Sequence, residues 1–296
     1  MGHLEEFSGA RERLGQFEDR LEKRVSSKLK EGIESHDSGA TKECLQIYEQ
    51  MQRRDMLITR YTQTRKPTLV KVYAAFASGE PAPAPEHGHP PPFADKLHSL
   101  RQDLIAGLGV ELAWCVEVFP DSGKFAAALW TDLISTIGEP LQGNINDKIF
   151  KGDFGEGELK QMAAVHACVV EMAVQAAEML TRDTLPGAKP EVEEVLKVSL
   201  SVMEKCQREY PAKEGKVLEK LAVRWKSDVT RSTSIAEGLR IVEDASAKFF
   251  SHLHHAATRA FALTSGGEAM AIARVLDEAV SALLDAFRAA VLHFRA

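Results

Sequence analysis

Three histidines near the C-terminus come closest, in type and spacing, to a metal site. His252, His254 and His255 occur in the run Ser-His-Leu-His-His. On a helix, His252 and His255 are three residues apart, which can place both rings on one face. A zinc site needs further His, Cys or carboxylate ligands, and neither an HExxH pattern nor a flanking ligand set accompanies these histidines. The pattern therefore favours surface or interface histidines, and we expect no bound metal or cofactor.

No other group of polar residues has the spacing of a catalytic motif. The phosphate-binding patterns GxGxxG and GxxxxGK[ST] are absent, as is the GxSxG nucleophile motif. Glu193 and Glu194 follow Pro190 in a first helical turn, where the helix dipole favours negative charge. His87 and His89 lie in a proline-rich segment without a scaffold to hold them. We therefore predict a protein that is not an enzyme.

The cysteines and methionines point to packing. Four cysteines lie far apart among apolar residues with no CxxC pair, which predicts buried free thiols in a reducing compartment: Cys44, Cys115, Cys168 and Cys206. Three methionines, Met162, Met172 and Met179, share the most regular apolar stripe. A helix core is the simpler interpretation, and an adaptable partner groove is the alternative. This stripe and the histidine cluster are the support for a third class of function, a helical protein that binds a small molecule or metal.

Tryptophans and glycines within the apolar segments are also expected to serve packing. Trp114, Trp130 and Trp225 each fall on an apolar stripe, which predicts core positions. Gly107 and Gly109 have no strand before them, so we expect them to allow close helix packing. The run from Ile105 to Val116 contains one charge, Glu111, which predicts a helix buried on most sides.

Residues 53–71 are locally basic. Their cations are Arg53, Arg54, Arg60, Arg65, Lys66 and Lys71. A solvated helix face is the simpler interpretation, and contact with an anionic membrane or an acidic partner is the alternative.

The elements that position these residues are helices. Apolar residues recur every three or four positions along nearly the whole chain, and no strand pattern is present. The predicted helices cover about residues 5–35, 41–51, 55–76, 97–119, 123–137, 157–181, 191–209, 214–229, 232–263 and 268–294. Asp37 or Ser38 is expected to cap the second helix, and Gly266-Gly267 to turn the last hairpin. Pro67 is expected to kink a helix or begin a new one, and Pro140 and Pro211 to end helices.

The proline distribution predicts three segments. Residues 77–92 hold six of the twelve prolines and predict an exposed linker or loop. Residues 1–76 before it form the N-terminal helices, a long amphipathic helix and then a further helical segment. Residues 93–296 after it form a helical bundle that ends in a long helical hairpin.

The first helix carries a narrow apolar stripe on a polar background. Its first members are Leu14, Phe17, Leu21 and Val25. Because an isolated helix owes most of its stability to packing, such a stripe needs a partner surface. These four residues are our candidates for partner binding.

Composition excludes some other functions. The net charge is −6 and no basic tract is present, which argues against a nucleic-acid partner. No secretory signal is visible, and the charge-free apolar stretches are shorter than the ~20 residues of a membrane span. We expect a soluble chain with only peripheral membrane contact.

Three stretches resemble subunit seven of the conserved oligomeric Golgi complex. The first contains Leu57-Ile58-Thr59-Arg60-Tyr61, Lys66, Leu69-Val70 and Tyr73. The second contains Leu112, Trp114, Val118-Phe119 and Pro140-Leu141. The third is the closing hairpin, from Ala262 through Gly266-Gly267 to Ile272, Leu276, Val280, Leu284 and Phe287. Their order and approximate spacing are also similar.

The resemblance implies a fold, a function and partners. Such subunits are all-α, elongated antiparallel helical bundles or rods of the multisubunit tethering type. They support retrograde transport within the Golgi by capturing vesicles, and they work on the cytoplasmic face of the Golgi membrane and in the cytosol. Subunits five, six and eight are the implied partners, together with trafficking proteins. The alternative is a generic helical adaptor or a subunit of a different tethering complex.

Overall fold

The computed structural model describes residues 2–78, 93–149, 155–182, 189–232 and 234–293. These residues form ten α-helices and no β-strand, which confirms the predicted all-α fold class. The helices are α1 (Gly2–Glu34), α2 (Ser38–Gln50), α3 (Asp55–Ser78), α4 (Phe93–Val118), α5 (Ser122–Ile149), α6 (Glu156–Arg182), α7 (Lys189–Ser201), α8 (Glu204–Thr230), α9 (Ile235–Thr264) and α10 (Ala269–His293). Most of the predicted proline-rich linker, residues 79–92, lies outside the described residues.

Local side chains and turns begin and end some of the helices, and the cap of α2 and the turn after α9 were predicted from the sequence. Asp37 caps α2, because its Oδ1 accepts a hydrogen bond from the Ala40 N–H at 2.9 Å. Ser234 caps α9 in the same way, accepting from the Glu237 N–H at 3.2 Å. After α9 the chain turns with Ser265 at φ 49° and Gly266 at φ 84°, which confirms the predicted hairpin turn.

The prolines interrupt the helices less than predicted. Pro67 lies inside α3, so it does not begin a new helix. The expectation that Pro140 and Pro211 end helices is wrong, because Pro140 lies inside α5 and Pro211 inside α8. An internal proline costs about 3 kcal/mol. Burying one large apolar side chain contributes about 1.5–3 kcal/mol, and Ile137 and Leu141 on either side of Pro140 are both buried.

The break near residue 202 also differs from the prediction of one helix over residues 191–209. Here α7 ends at Ser201 and α8 begins at Glu204. The two residues between them, Val202 and Met203, are buried. Tertiary packing therefore places this break, and no proline or glycine marks it in the sequence.

The chain divides into two compact units. Unit 1 comprises Met1–Glu139 and Val170–Ser201, and unit 2 comprises Pro140–Val169 and Val202–Ala296. Two of the borders fall inside α5 and α6, and the third lies between α7 and α8. The three segments predicted from the proline distribution follow other borders and stay a prediction.

In unit 1, α1 packs on α2 and α3, and α4 packs on α3 and α2. A Cβ atom on Gly107 would lie 2.6 Å from Cδ2 of Leu69, and one on Gly109 would lie 3.0 Å from Cε of Met179. Both glycines therefore allow close helix packing, as predicted. The buried indole of Trp130 donates a hydrogen bond to Oγ of Ser199 at 2.9 Å.

In unit 2, α8, α9 and α10 pack on one another. Phe249 is fully buried in their core, together with Leu218 and Leu283. Trp225 packs against it edge to face, with ring centroids 5.4 Å apart. The core positions predicted for Trp114, Trp130 and Trp225 are confirmed, with Trp225 half-buried.

Candidate protein-interaction surface

The candidate surface is the N-terminal part of the α1 stripe. Of the four predicted residues, the side chain of Leu14 lies outside the described part of the structure, and Phe17, Leu21 and Val25 lie within it. The side chain of Phe17 is 64% exposed, and Leu21 is half-buried. Val25 is only 7% exposed, and its carbonyl oxygen lies 4.0 Å from Sγ of Cys44 on α2. The stripe is therefore open at Phe17 and Leu21, whereas Val25 is used within unit 1 and is not available to a partner.

Ion pairs tie α1 to the rest of unit 1 from Asp19 onward. Arg53, which precedes α3, pairs with Oδ1 of Asp19 at 3.0 Å and also with Glu22. Lys28 pairs with Glu43 of α2 at 2.6 Å. Further along α1, Leu29 and Ile33 are buried. The helix is thus fixed at its C-terminal half, and the open stripe extends from this fixed support.

The basic segment 53–71 is largely neutralised by carboxylates of the same unit. Arg54 pairs with Asp121 at 3.2 Å, and Lys66 pairs with Asp132 at 2.9 Å. Arg65 pairs with Glu111. The simple expectation of a solvated basic face therefore describes only part of this segment, since several of its cations serve packing between helices.

A buried polar cluster in unit 1 joins α3 to α4. The Tyr61 hydroxyl donates a hydrogen bond to Oε2 of Glu111 at 3.0 Å, and Nε of Arg65 donates to Oε1 of Glu111 at 2.8 Å. The Cys115 thiol lies 3.2 Å from the Tyr61 hydroxyl. Sequence reasoning missed this cluster, although Glu111, the lone charge in an apolar run, was the available signal. A buried carboxylate requires a partner.

This cluster does not activate a nucleophile. Burial raises the pKa of the Cys115 thiol to about 12 and raises the pKa of the Tyr61 hydroxyl above its ordinary value. Both groups therefore stay protonated at neutral pH, and a protonated thiol is a poor nucleophile. The cluster acts by holding α3 against α4. All four cysteines are buried free thiols, as predicted.

A second buried cluster holds unit 2 together. The Tyr210 hydroxyl contacts Glu214 at 2.5 Å and the Ala256 carbonyl oxygen at 3.1 Å. Nη2 of Arg259 donates to Oε1 of Glu214 at 2.6 Å. Burial and the neighbouring Glu214 carboxylate raise the pKa of the Tyr210 hydroxyl. These contacts join α8 to α9.

The histidine cluster on α9 is at the surface. His254 and His255 are exposed and His252 is half-buried. Among the described residues, no group of three or more His, Cys, Asp or Glu side chains is placed to hold a metal ion. Within the described ranges, no further ligands accompany these histidines.

The methionine stripe lies in the core. Met162 and Met172 on α6 are 1% and 2% exposed, and Met179 is half-buried. This finding supports the core interpretation over an open partner groove. In the part of the chain that the structure describes, one helix, Gly157–Arg182, is long and apolar enough by length and composition to cross a membrane, and half of its most apolar window is buried inside the protein. A core helix has the same properties.

One apolar surface was not anticipated. It lies on α9, whose large apolar residues include Ile235, Leu239, Phe249 and Phe261. In the structure Phe249 is buried, whereas Ile235, Leu239 and Phe261 are 59%, 64% and 74% exposed. The face of α9 that packs in unit 2 therefore includes Phe249 but not these three exposed residues.

Comparison with known proteins identifies a family. The family model described as Golgi complex component 7 (COG7) matches residues 1–296, which is the whole chain. No curated protein and no solved structure gives a significant match.

Proposed function

The chain belongs to the Golgi complex component 7 (COG7) family and is a subunit of the Golgi vesicle-tethering complex, in which we propose that it works by protein–protein contact alone. The family match over residues 1–296 carries this proposal. The family is a structural one that acts in vesicle tethering and transport within the Golgi. We also propose that the chain is not an enzyme and that it supports retrograde transport from the cytoplasmic face of the Golgi membrane.

The proposed partners are subunits five, six and eight of the same complex. The proposed contact is the open part of the α1 stripe, centred on Phe17 and Leu21, to which the three-residue spacing in the sequence adds Leu14. Two observations and one general property of interfaces support this assignment. Phe17 is a large aromatic residue that lies on the apolar stripe of α1 and is 64% exposed. The C-terminal half of α1 is fixed by ion pairs and buried apolar residues. Aromatic residues on a rigid support are frequent energetic centres of interfaces.

The two buried polar clusters, around Glu111 in unit 1 and Glu214 in unit 2, are consistent with a non-catalytic role. Raised pKa values keep the Cys115 thiol and the Tyr61 and Tyr210 hydroxyls protonated at neutral pH. Perturbed groups of this kind also occur in structural networks, and these three lie between packed helices.

The test is affinity purification of the tagged chain from its own cells, followed by mass spectrometry of the proteins that accompany it. We expect the other Golgi tether subunits to dominate, with subunits five, six and eight recovered in amounts similar to the tagged chain. If a different trafficking complex dominates the sample, the result supports the alternative that the chain is a subunit of another tethering complex. Recovery of the chain alone would contradict the proposal.

A further inference from the structure

A cleft of about 490 Å³ lies between α1 and α3 in unit 1. Lys30 of α1 lines one side, and Arg60 and Lys71 of α3 line the other. With Arg65, four of the ten lining residues are cationic, whereas Glu34 alone is anionic. The chain as a whole has a net charge of −6, so this local excess of positive charge is not a consequence of composition.

The ion pairs at the rim of the cleft are longer than those that other cations of the basic segment form. Arg54 and Lys66 have close carboxylate partners in unit 1. The pairs at the cleft are looser, because Arg60 lies 3.7 Å from Glu22 and Lys30 lies 3.7 Å from Glu34. The Lys30–Glu34 pair is exposed, and an exposed ion pair contributes little free energy. Arg60 is itself 41% exposed, and its partner Glu22 pairs more closely with Arg53. An incoming anion can therefore compete with them.

A buried ion pair fixes the floor of the cleft. The Arg65 side chain is 9% exposed and is held by Glu111, which is 3% exposed. Nη1 of Arg65 also donates to the carbonyl oxygen of Glu34 at 3.4 Å, which links α3 to α1. Because the floor is held in place, the side chains of α3 that line the cleft would not need to rearrange when a ligand binds.

The lining also indicates which kind of anion fits. Gln63 and Thr68 place an amide and a hydroxyl on the wall, and these groups can pair with the N–H and C=O groups of a peptide backbone. Pro67 is the apolar lining residue, so the cleft does not suit the apolar face of a helix. A planar membrane surface would reach the rim more easily than the floor of a concave cleft.

We propose that this cleft binds an acidic, extended segment of a partner protein, whose carboxylates pair with Lys30, Arg60 and Lys71. The proposal goes beyond the tethering role. It uses residues other than Phe17 and Leu21, and it is tested on the purified chain without tether subunits.

The experiment is a fluorescence anisotropy titration of the purified full chain with a labelled peptide of alternating glutamate and serine. The variant is the double substitution Lys30→Glu and Lys71→Glu. The matched control is Lys42→Glu with Lys197→Glu, which changes the net charge equally at two exposed lysines of unit 1 outside the cleft. Circular dichroism and thermal unfolding verify that each protein is folded, and Lys71→Gln serves as a milder variant.

We expect the wild-type chain to bind the peptide, with affinity that falls as salt is raised. The cleft variant should bind at least about ten-fold more weakly and the control within about two-fold of wild type, since each charge reversal replaces an attraction by a repulsion. Lys71→Gln should be intermediate. Equal weakening by the control, or no binding by the wild type, would overturn the proposal. So would cleft-dependent binding to phosphatidylserine vesicles without peptide binding, which would assign the cleft to a membrane.

Discussion

Arg65 on α3 and Glu111 on α4 form a buried ion pair, in which Nε of Arg65 lies 2.8 Å from one carboxylate oxygen of Glu111 and 3.0 Å from the other. The two residues are 46 positions apart in the sequence. The Tyr61 hydroxyl donates to the same carboxylate at 3.0 Å. This carboxylate therefore joins two helices in the interior of unit 1, and it also determines the position of the arginine under the proposed peptide cleft.

Removing one partner of this pair should destabilise unit 1 strongly. Arg65→Leu leaves the Glu111 carboxylate buried without its cation, which costs about 3–5 kcal/mol of unfolding free energy. Urea unfolding followed by circular dichroism measures this loss. The double substitution Arg65→Leu with Glu111→Leu should recover most of it, because no buried charge remains. A control at the exposed pair, Arg54→Leu, should leave the unfolding curve nearly unchanged. The interpretation fails if the single and double variants are equally unstable.

Phe17→Asp should release the partner subunits while the chain stays folded. Truncating or charging an aromatic centre of an interface costs about 2–4 kcal/mol of binding free energy, which is at least about thirty-fold in affinity. Because Phe17 is 64% exposed, its replacement should not change thermal unfolding. Recovery of subunits five, six and eight with the tagged chain is the measurement.

Gln16→Asp is the matched control for Phe17→Asp. Gln16 is also exposed on α1 and precedes Phe17, but it lies off the apolar stripe. This control adds the same charge to the same helical turn, and it should recover the partner subunits as well as the wild type does. Normal recovery with Phe17→Asp would remove the α1 stripe from the proposed interface.

Stability should fall in alkaline solution. Burial raises the pKa of Cys115 from 9.0 to about 12, and it raises the pKa of Tyr61 and Tyr210 above 10.0. Below pH 9 these groups are protonated in both states, so they add no pH dependence. Above its ordinary pKa each group loses its proton first in the unfolded state, which favours unfolding by about 1.4 kcal/mol per pH unit until the folded-state pKa is reached.

The measurement is urea unfolding between pH 7 and pH 11. Tyr61→Phe and Tyr210→Phe should each reduce the loss of stability above pH 10, whatever they do to stability at pH 7. His254→Phe serves as a control at an exposed position of α9 and should leave the slope unchanged. An alkaline slope equal to wild type in both tyrosine variants would show that these hydroxyls titrate normally.

Mild acid should destabilise unit 2 through His166. Burial lowers the pKa of His166 below its ordinary value of 6.5. Above pH 6.5 the imidazole is neutral in both states. As the pH falls below 6.5, the His166 side chain takes up a proton in the unfolded state before it does so in the folded state. The free energy of unfolding therefore decreases progressively until the pH reaches the folded-state pKa. The melting temperature should therefore fall between pH 7.5 and pH 5.5, and His166→Gln should reduce that fall. The substitution His254→Gln, at an exposed position, should not reduce the fall in melting temperature. An equal fall in both variants would contradict the assignment of the acid sensitivity to His166.

The regular three- and four-residue spacing of apolar side chains predicted most of the secondary structure. This spacing is local, and so are the Asp37 cap and the left-handed turn at Ser265 and Gly266, because each depends on residues within a few positions of one another. For the same reason the prolines misled the prediction. Pro140 and Pro211 disfavour a helix locally, but the packing of residues on both sides outweighs that cost.

The sequence by itself determined the all-α class, the buried thiols and the candidate stripe on α1. Only the tertiary structure decided that Val25 is buried while Phe17 stays exposed, that Phe249 packs while Phe261 does not, and that Arg65 pairs with Glu111. The physical reason is distance along the chain. Periodicity identifies an apolar face, but which part of that face is covered depends on helices that are far away in sequence. The carboxylate with which each cation pairs depends on the same distant helices.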